Sequence, residues 1–168
     1  QEQEALDFLD SILSQEPENV ELLYYRAMTG QRFGRLDILE ADLRSVIELD
    51  PGNADAMNAL GYTLADQTNR HEEALELIEK ALTIKPDEPA FIDSLGWVQY
   101  RLKNFEMALT YLRQAFETFR NDEIAAHLGE VLWVVGDKKE ANRVWEQGLE
   151  LAPESEILKN IIQRFRGE

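Results

Sequence analysis

Three short stretches decide the fold: NALGYTLAD at residues 58–66, DSLGWV at 93–98 and AAHLGEVLW at 125–133. Each contains a Leu-Gly pair, and the glycines Gly61, Gly96 and Gly129 are 35 and 33 residues apart. Self-similarity at a fixed period of about 20 to 50 residues is typical of repeat proteins, in which each unit packs on its neighbours. The spacing therefore predicts a solenoid.

Small residues continue the pattern downstream of each Leu-Gly pair. Alanine follows after 12 or 13 positions and a second small residue after seven more, at Ala74, Ala108 and Ala141, then Ala81, Ala115 and Gly148. Small side chains let two helix backbones approach closely, and apolar residues at helical spacing lie between them. We expect ten helices and no strand: one helix in 1–19, helix pairs in 20–53, 54–88, 89–121 and 122–153, and a capping helix in 154–168.

Polar residues mark the predicted starts of three second helices. Asn69, Asn104 and Asp137 lie where a side-chain oxygen can accept a hydrogen bond from a free N–H group of the first turn. Asn69 and Glu72 also have the spacing of a capping box.

Composition excludes several classes of function. The 168 residues include 33 acidic and 17 basic ones, which gives a net charge of −16, and no cysteine. A field this negative repels nucleic-acid phosphates and anionic lipid headgroups, so we expect no nucleic-acid partner and no direct membrane contact. The absence of cysteine excludes disulfides, thiolate nucleophiles and zinc–cysteine sites.

Residues for catalysis are also missing from the sequence. His71 and His127 have no partner at metal-ligand spacing, and we interpret them as a surface residue and a packing residue. No glycine-rich phosphate loop follows a strand, and no pair of carboxylates is placed in a closed cleft that would raise one pKa. We predict no catalytic residue, no cofactor and no metal, and therefore no enzyme.

The two ends of the chain differ. The first helix is either a cap or the second helix of a repeat whose first helix precedes residue 1. It has an apolar face made by Leu6, Phe8, Leu9, Ile12 and Leu13. We expect the second, since solenoids normally protect their ends with a polar-faced cap and an unpaired helix would leave this face uncovered; an uncovered face would permit self-association. Seven acids and no base in residues 1–21 form either a solubilising face or a docking site for a basic partner. We expect the last helix to be a true terminus, because it has a polar surface from Asn160, Gln163, Arg164, Arg166 and Glu168.

The repeated Leu-Gly pairs and the small residues that follow them resemble the tetratricopeptide repeat, an antiparallel helix pair of ~34 residues. Ala27, Leu39 and Arg120 depart from the usual glycine, alanine and proline. The resemblance implies an all-α, right-handed superhelix that binds proteins, with the first helix of each pair lining the concave face. It places the partner-binding residues at Tyr24, Met28, Arg32, Asn58, Tyr62, Asp66, Asp93, Trp97, Tyr100, Arg101, Glu130 and Trp133.

The candidate groove is aromatic and mildly acidic. Trp97 and Tyr100 share a helix face offset from the Leu95 packing stripe, and Trp, Tyr and Arg dominate interface hot spots. Trp97 and Trp133 either anchor a partner or fill space between repeats. Some members of the family hold terminal carboxylates with lysine and asparagine, but no lysine stands at the corresponding positions. A segment with apolar and basic residues fits this surface better.

The three stretches quoted first are also similar to the C-terminal region of bacterial tetratricopeptide lipoproteins of the cell envelope. In pseudomonads this group includes an outer-membrane lipoprotein that binds and activates a carboxyl-terminal processing protease. The resemblance implies a periplasmic adaptor, tethered to the outer membrane, that presents the protease to its substrates. The alternatives are a self-associating assembly factor of a pilus or secretion machine, and the repeat arm of a larger enzyme. The alternative location is the cytoplasm.

Overall fold

The computed structural model describes residues 2–167, with side chains from residue 3 onward. Over that range the chain is all-helical, as predicted, with ten helices and no strand. The helices are α1 (Glu2–Leu13), α2 (Val20–Arg32), α3 (Leu36–Leu49), α4 (Ala54–Gln67), α5 (His71–Ile84), α6 (Pro89–Arg101), α7 (Phe105–Thr118), α8 (Asp122–Val134), α9 (Lys138–Leu151) and α10 (Glu156–Arg166). None of these helices is both long and apolar enough to cross a bilayer. Glu168, expected to add polar surface, lies outside the described residues.

Four helix pairs form the body of the solenoid. The pairs α2–α3, α4–α5, α6–α7 and α8–α9 pack internally, and the second helix of each pair packs on the first helix of the next. The first helices also touch one another in the series α4, α6, α8 and α10. They therefore form one continuous surface, in which α10 takes the position of a first helix.

Asparagine caps begin three of the first helices. The Oδ1 atoms of Asn19, Asn53 and Asn121 accept hydrogen bonds from backbone N–H groups three residues later, at 3.1, 3.0 and 2.8 Å. Each bond satisfies one of the free donors of a first helical turn.

Two of the predicted second-helix caps are wrong. Asp137 does cap α9, accepting from the Glu140 N–H at 3.2 Å. Asn104 precedes α7, but its amide donates to Gln99 Oε1 at 2.8 Å instead. Asn69 is not a cap either, because α5 begins at His71 and the Thr68 hydroxyl accepts the Arg70 N–H at 3.0 Å.

Glycine is required where the helices of a pair cross. A Cβ added at Gly96 would lie 2.6 Å from Leu112 Cγ, and one added at Gly129 would lie 2.0 Å from Trp145 Nε1. The Trp145 ring is fully buried, with no exposed surface. The Leu-Gly pairs of the sequence thus mark the sites of closest contact between helices.

The expected apolar face of α1 is largely covered. Leu6, Leu9 and Leu13 are only 2%, 4% and 5% exposed, because α1 packs against α2. Phe8 alone among the large residues of this face is strongly exposed, at 65%. Arg26 of α2 connects α1 and α3. It donates to Asp10 Oδ1 at 2.5 Å and to both Asp42 carboxylate oxygens at 2.7–2.8 Å.

Candidate protein-binding groove

The surface made by α4, α6, α8 and α10 contains a groove. Two adjoining cavities of about 510 and 500 Å³ share Asp66, Trp97, Glu130 and Arg164. We call this combined space the central groove; it is lined by Tyr62, Asp66, Trp97, Tyr100, Arg101, Lys103, Phe105, Ala126, His127, Glu130, Val134, Ile157, Asn160, Ile161 and Arg164.

Six of the twelve predicted partner-binding residues meet in the central groove: Tyr62, Asp66, Trp97, Tyr100, Arg101 and Glu130. Two others, Asn58 and Asp93, lie in an adjoining cavity of about 130 Å³. We call it the side pocket; it is lined by Gln31, Asn58, Ala59, Tyr62, Ala90, Asp93, Ser94, Asn121, Glu123 and Ile124.

The remaining four candidates lie elsewhere. Tyr24 lines a separate cavity of about 330 Å³ with Asn53 and Asp55. Met28 packs against the core, and Arg32 is exposed outside these cavities. Trp133 stacks on Trp145, with ring centroids 5.5 Å apart, so packing is the role that its contacts show.

Trp97 is both a core residue and part of the floor of the central groove. It is only 5% exposed, its indole N–H donates to Asp66 Oδ1 at 3.3 Å, and its ring stacks on His127 at a centroid distance of 4.3 Å. Its ring also lies 5.1 Å from that of Tyr100. Truncating Trp97 would therefore remove packing as well as groove surface.

Four charged residues of the groove, Asp66, Arg101, Glu130 and Arg164, have polar partners within it. Glu130, 7% exposed, accepts the Tyr100 hydroxyl at 3.0 Å and an N–H of Arg164. Arg101 donates to the Asp66 backbone carbonyl at 2.9 Å and lies 3.9 Å from its carboxylate. Partial burial and the neighbouring Glu130 raise the pKa of Tyr100 to about 12, so its hydroxyl remains a hydrogen-bond donor at neutral pH.

One wall of the central groove was missed by the sequence reading, which treated α10 as a polar cap. Ile157, Asn160, Ile161 and Arg164 of α10 all face the groove. The repeat register contained the signal, because Asn160 and Arg164 lie 34 residues after Ala126 and Glu130. Extending the first-helix positions by one more period would have found both residues.

His127, interpreted from sequence as a packing residue, is buried and packed, but it also connects three helices. It is 3% exposed; its Nδ1 lies 2.8 Å from Asp93 Oδ2 and its Nε2 lies 3.2 Å from the Tyr62 hydroxyl. Burial opposes protonation, but the Asp93 carboxylate outweighs it and raises the pKa of His127. Sequence spacing alone did not reveal these partners, since Tyr62 and Asp93 lie in two earlier repeats.

Tyr62, His127 and Asp93 form one hydrogen-bonded cluster. Burial raises the pKa of Tyr62, so its hydroxyl keeps its proton at neutral pH. Among the described side chains, no group of three or more His, Asp or Glu residues is arranged to hold a metal ion. The arrangement fixes side chains of the groove floor in place.

Stability should fall as the pH rises above neutrality, because of His127. The folded chain holds this proton to higher pH than the unfolded chain, so the contribution is fully present below about pH 6.5 and is lost as the pH rises through the raised folded pKa. The groups that face the imidazole are Asp93, Tyr62, Glu123 and Asp66. Urea unfolding of wild type between pH 6 and 9 would show this slope, and His127→Gln should remove it. His71→Gln is the matched control, and equal slopes in wild type and His127→Gln would contradict the assignment.

Comparison with known proteins agrees with this architecture. Models of the tetratricopeptide repeat match residues 31–89 and 93–122. A TPR repeat-containing protein of Pseudomonas aeruginosa is 48% identical over 130 residues, which cover 77% of this chain and 22% of that protein. A protein O-mannosyl-transferase of Homo sapiens is 27% identical over 174 residues, which cover 97% of this chain and 19% of that protein. The chain thus spans about a fifth of the length of these two relatives.

Solved structures share the fold. A thermophilic TPR protein of Thermus thermophilus has a TM-score of 0.82 at 22% identity, covering 99% of this chain and 89% of that one. PilW, a type IV pilus biogenesis factor, has a TM-score of 0.64 at 16% identity; the match covers 96% of this chain and 90% of that one. The family models, which match residues 31–89 and 93–122, show that the chain belongs to the tetratricopeptide repeat family, whose repeats are scaffolds for protein–protein interaction.

Proposed function

We propose that the chain is part of a non-catalytic adaptor that binds a segment of a partner protein in the central groove. The observation that carries the proposal is the continuity of this groove over four successive first helices, with Trp97 and Tyr100 in its floor. Tyr100 is the more accessible of these two rings, because Trp97 is only 5% exposed, and Trp and Tyr are enriched at interface hot spots.

The partner that we propose is a carboxyl-terminal processing protease of the cell envelope. The support is the resemblance of residues 58–66, 93–98 and 125–133 to the envelope lipoproteins, together with the 48% identity to the Pseudomonas aeruginosa protein. On this proposal the whole protein is periplasmic and tethered to the outer membrane, and this chain supplies the repeats that bind the protease.

A structural assembly factor is the second candidate. Its support is the fold-level likeness to PilW and the two aromatic side chains exposed near the N-terminal end, Phe8 at 65% and Tyr25 at 64%. An assembly factor would use these side chains for self-association. A repeat arm of a larger enzyme is the third candidate, since one relative carries a transferase name and this chain spans 19% of it.

Direct binding to the purified protease tests the proposal. We expect an inactive variant of the pseudomonad protease to bind the immobilised chain saturably, while an unrelated acidic helical-repeat protein of similar charge does not capture it. Sedimentation of the chain alone should show a monomer. The absence of saturable binding would overturn the protease assignment, and a concentration-dependent oligomer abolished by Phe8→Ser with Tyr25→Ser would favour the assembly factor.

A further inference from the structure

The side pocket is lined by Asn58 and Asp93, each of which has a buried acceptor oxygen that receives no hydrogen bond from the described residues. It lies between α4, α6 and α8 and shares Tyr62 with the central groove, so the two cavities adjoin. Its volume of about 130 Å³ matches about four water molecules at ~30 Å³ each, or the end of one long side chain.

Asp93 is the main unsatisfied group. Its side chain is 6% exposed, and Oδ2 is held by His127 Nδ1 at 2.8 Å. Oδ1 is buried and receives no hydrogen bond from any described residue, and the same is true of Asn58 Oδ1. A buried acceptor without a donor destabilises the folded chain, and more so when it is charged, so both oxygens favour a donor supplied from outside.

The lining of the side pocket selects the charge of that donor. Glu123 adds a second carboxylate, and the Ser94 hydroxyl is already donated to the Ala90 backbone carbonyl at 2.9 Å. No lysine or arginine is among the described residues that line the pocket. The lining therefore favours a cation and disfavours an anion or a neutral acceptor.

We propose that the side pocket binds the ammonium group of a lysine from the segment that occupies the central groove. An ammonium group is compact and has three donors and no acceptor, which matches Asn58 Oδ1, Asp93 Oδ1 and the Glu123 carboxylate. The lysine side chain would enter the side pocket past Tyr62, which lines both cavities. The proposal rests on the proposed function, because it requires a segment bound in the central groove.

The test uses n-butylammonium, which reproduces the end of a lysine side chain. In a two-dimensional NMR titration of the 15N-labelled chain, we expect saturable shifts of the Ala59 and Ala90 amides. Asp93→Asn should weaken this binding roughly tenfold, since it removes the charge while keeping an acceptor for His127. Asn58→Asp should strengthen it.

Controls separate the pocket from the general acidity of the chain. Asp87→Asn removes one exposed carboxylate outside the pocket and should leave binding unchanged, and 1-pentanol should not bind. The assignment is overturned by non-saturable shifts in wild type, by equal weakening in Asp87→Asn, or by tighter binding of methylguanidinium. Because no protease is present, failure here leaves the protease result standing, and failure of protease binding leaves this result standing.

Discussion

Replacing Val134 and Ile157 together by aspartate should weaken protease binding by about 100-fold, which corresponds to about 1.4 kcal/mol at each position. Both side chains line the central groove, yet they are 44% and 38% exposed and therefore available to a partner. A carboxylate at either position would lose solvent when a segment covers it and would find no new donor. Binding isotherms of wild type and the double variant measure the loss.

A matched pair of substitutions isolates the groove. Ile84 and Met107 are 45% and 46% exposed and lie outside the central groove, so Ile84→Asp with Met107→Asp changes charge and exposed apolar area in the same way. Both double variants should unfold close to wild type, since exposed substitutions usually change stability by less than about 0.5 kcal/mol each. Equal losses of binding in the two double variants would contradict a groove-specific contact.

Gly129→Ala should lower the free energy of unfolding by about 3 kcal/mol, the upper part of the usual range for overpacking a core. The added Cβ would lie 2.0 Å from Trp145 Nε1 and 2.4 Å from its Cδ1, and the indole has no exposed surface. The expected fall in Tm is roughly 6 to 12 °C for a chain of this size. Thermal unfolding followed by circular dichroism measures it.

Two further variants test the cause of that loss. Gly52→Ala, where the nearest side-chain atom is 3.5 Å away, should change Tm little. Adding Trp145→Phe to Gly129→Ala should recover part of the loss, so the two substitutions should be non-additive in a double-mutant cycle. Strict additivity would show that the indole is not the obstacle at Gly129.

The fold was predictable because its constraints recur locally. The Leu-Gly pairs and the small residues after them are fixed by close helix crossings, such as Gly96 on Leu112 and Gly129 on Trp145. Helix caps were less predictable, because several neighbouring polar side chains can accept the same backbone N–H and the sequence does not show which one does. In the turn before α5, Thr68 rather than Asn69 does so.

The candidate site was predictable in part. The register of the first helices placed Tyr62, Tyr100 and Arg101 in the central groove, because equivalent positions of successive repeats face the same side of the solenoid. The burial of Trp97 was not predictable from one repeat, because His127 of the next repeat stacks on it. The contribution of α10 was missed because its polar composition masked a helix that continues the first-helix series.

Covalent mapping of the bound segment tests the central claim most directly. A photoreactive p-benzoylphenylalanine placed at Asn160, an exposed residue of the central groove, should crosslink to one segment of the bound protease, identified by mass spectrometry. The same group at Met107, which is also exposed but lies outside the groove, should give no crosslink. Crosslinks from Met107 with none from Asn160 would contradict binding in the central groove.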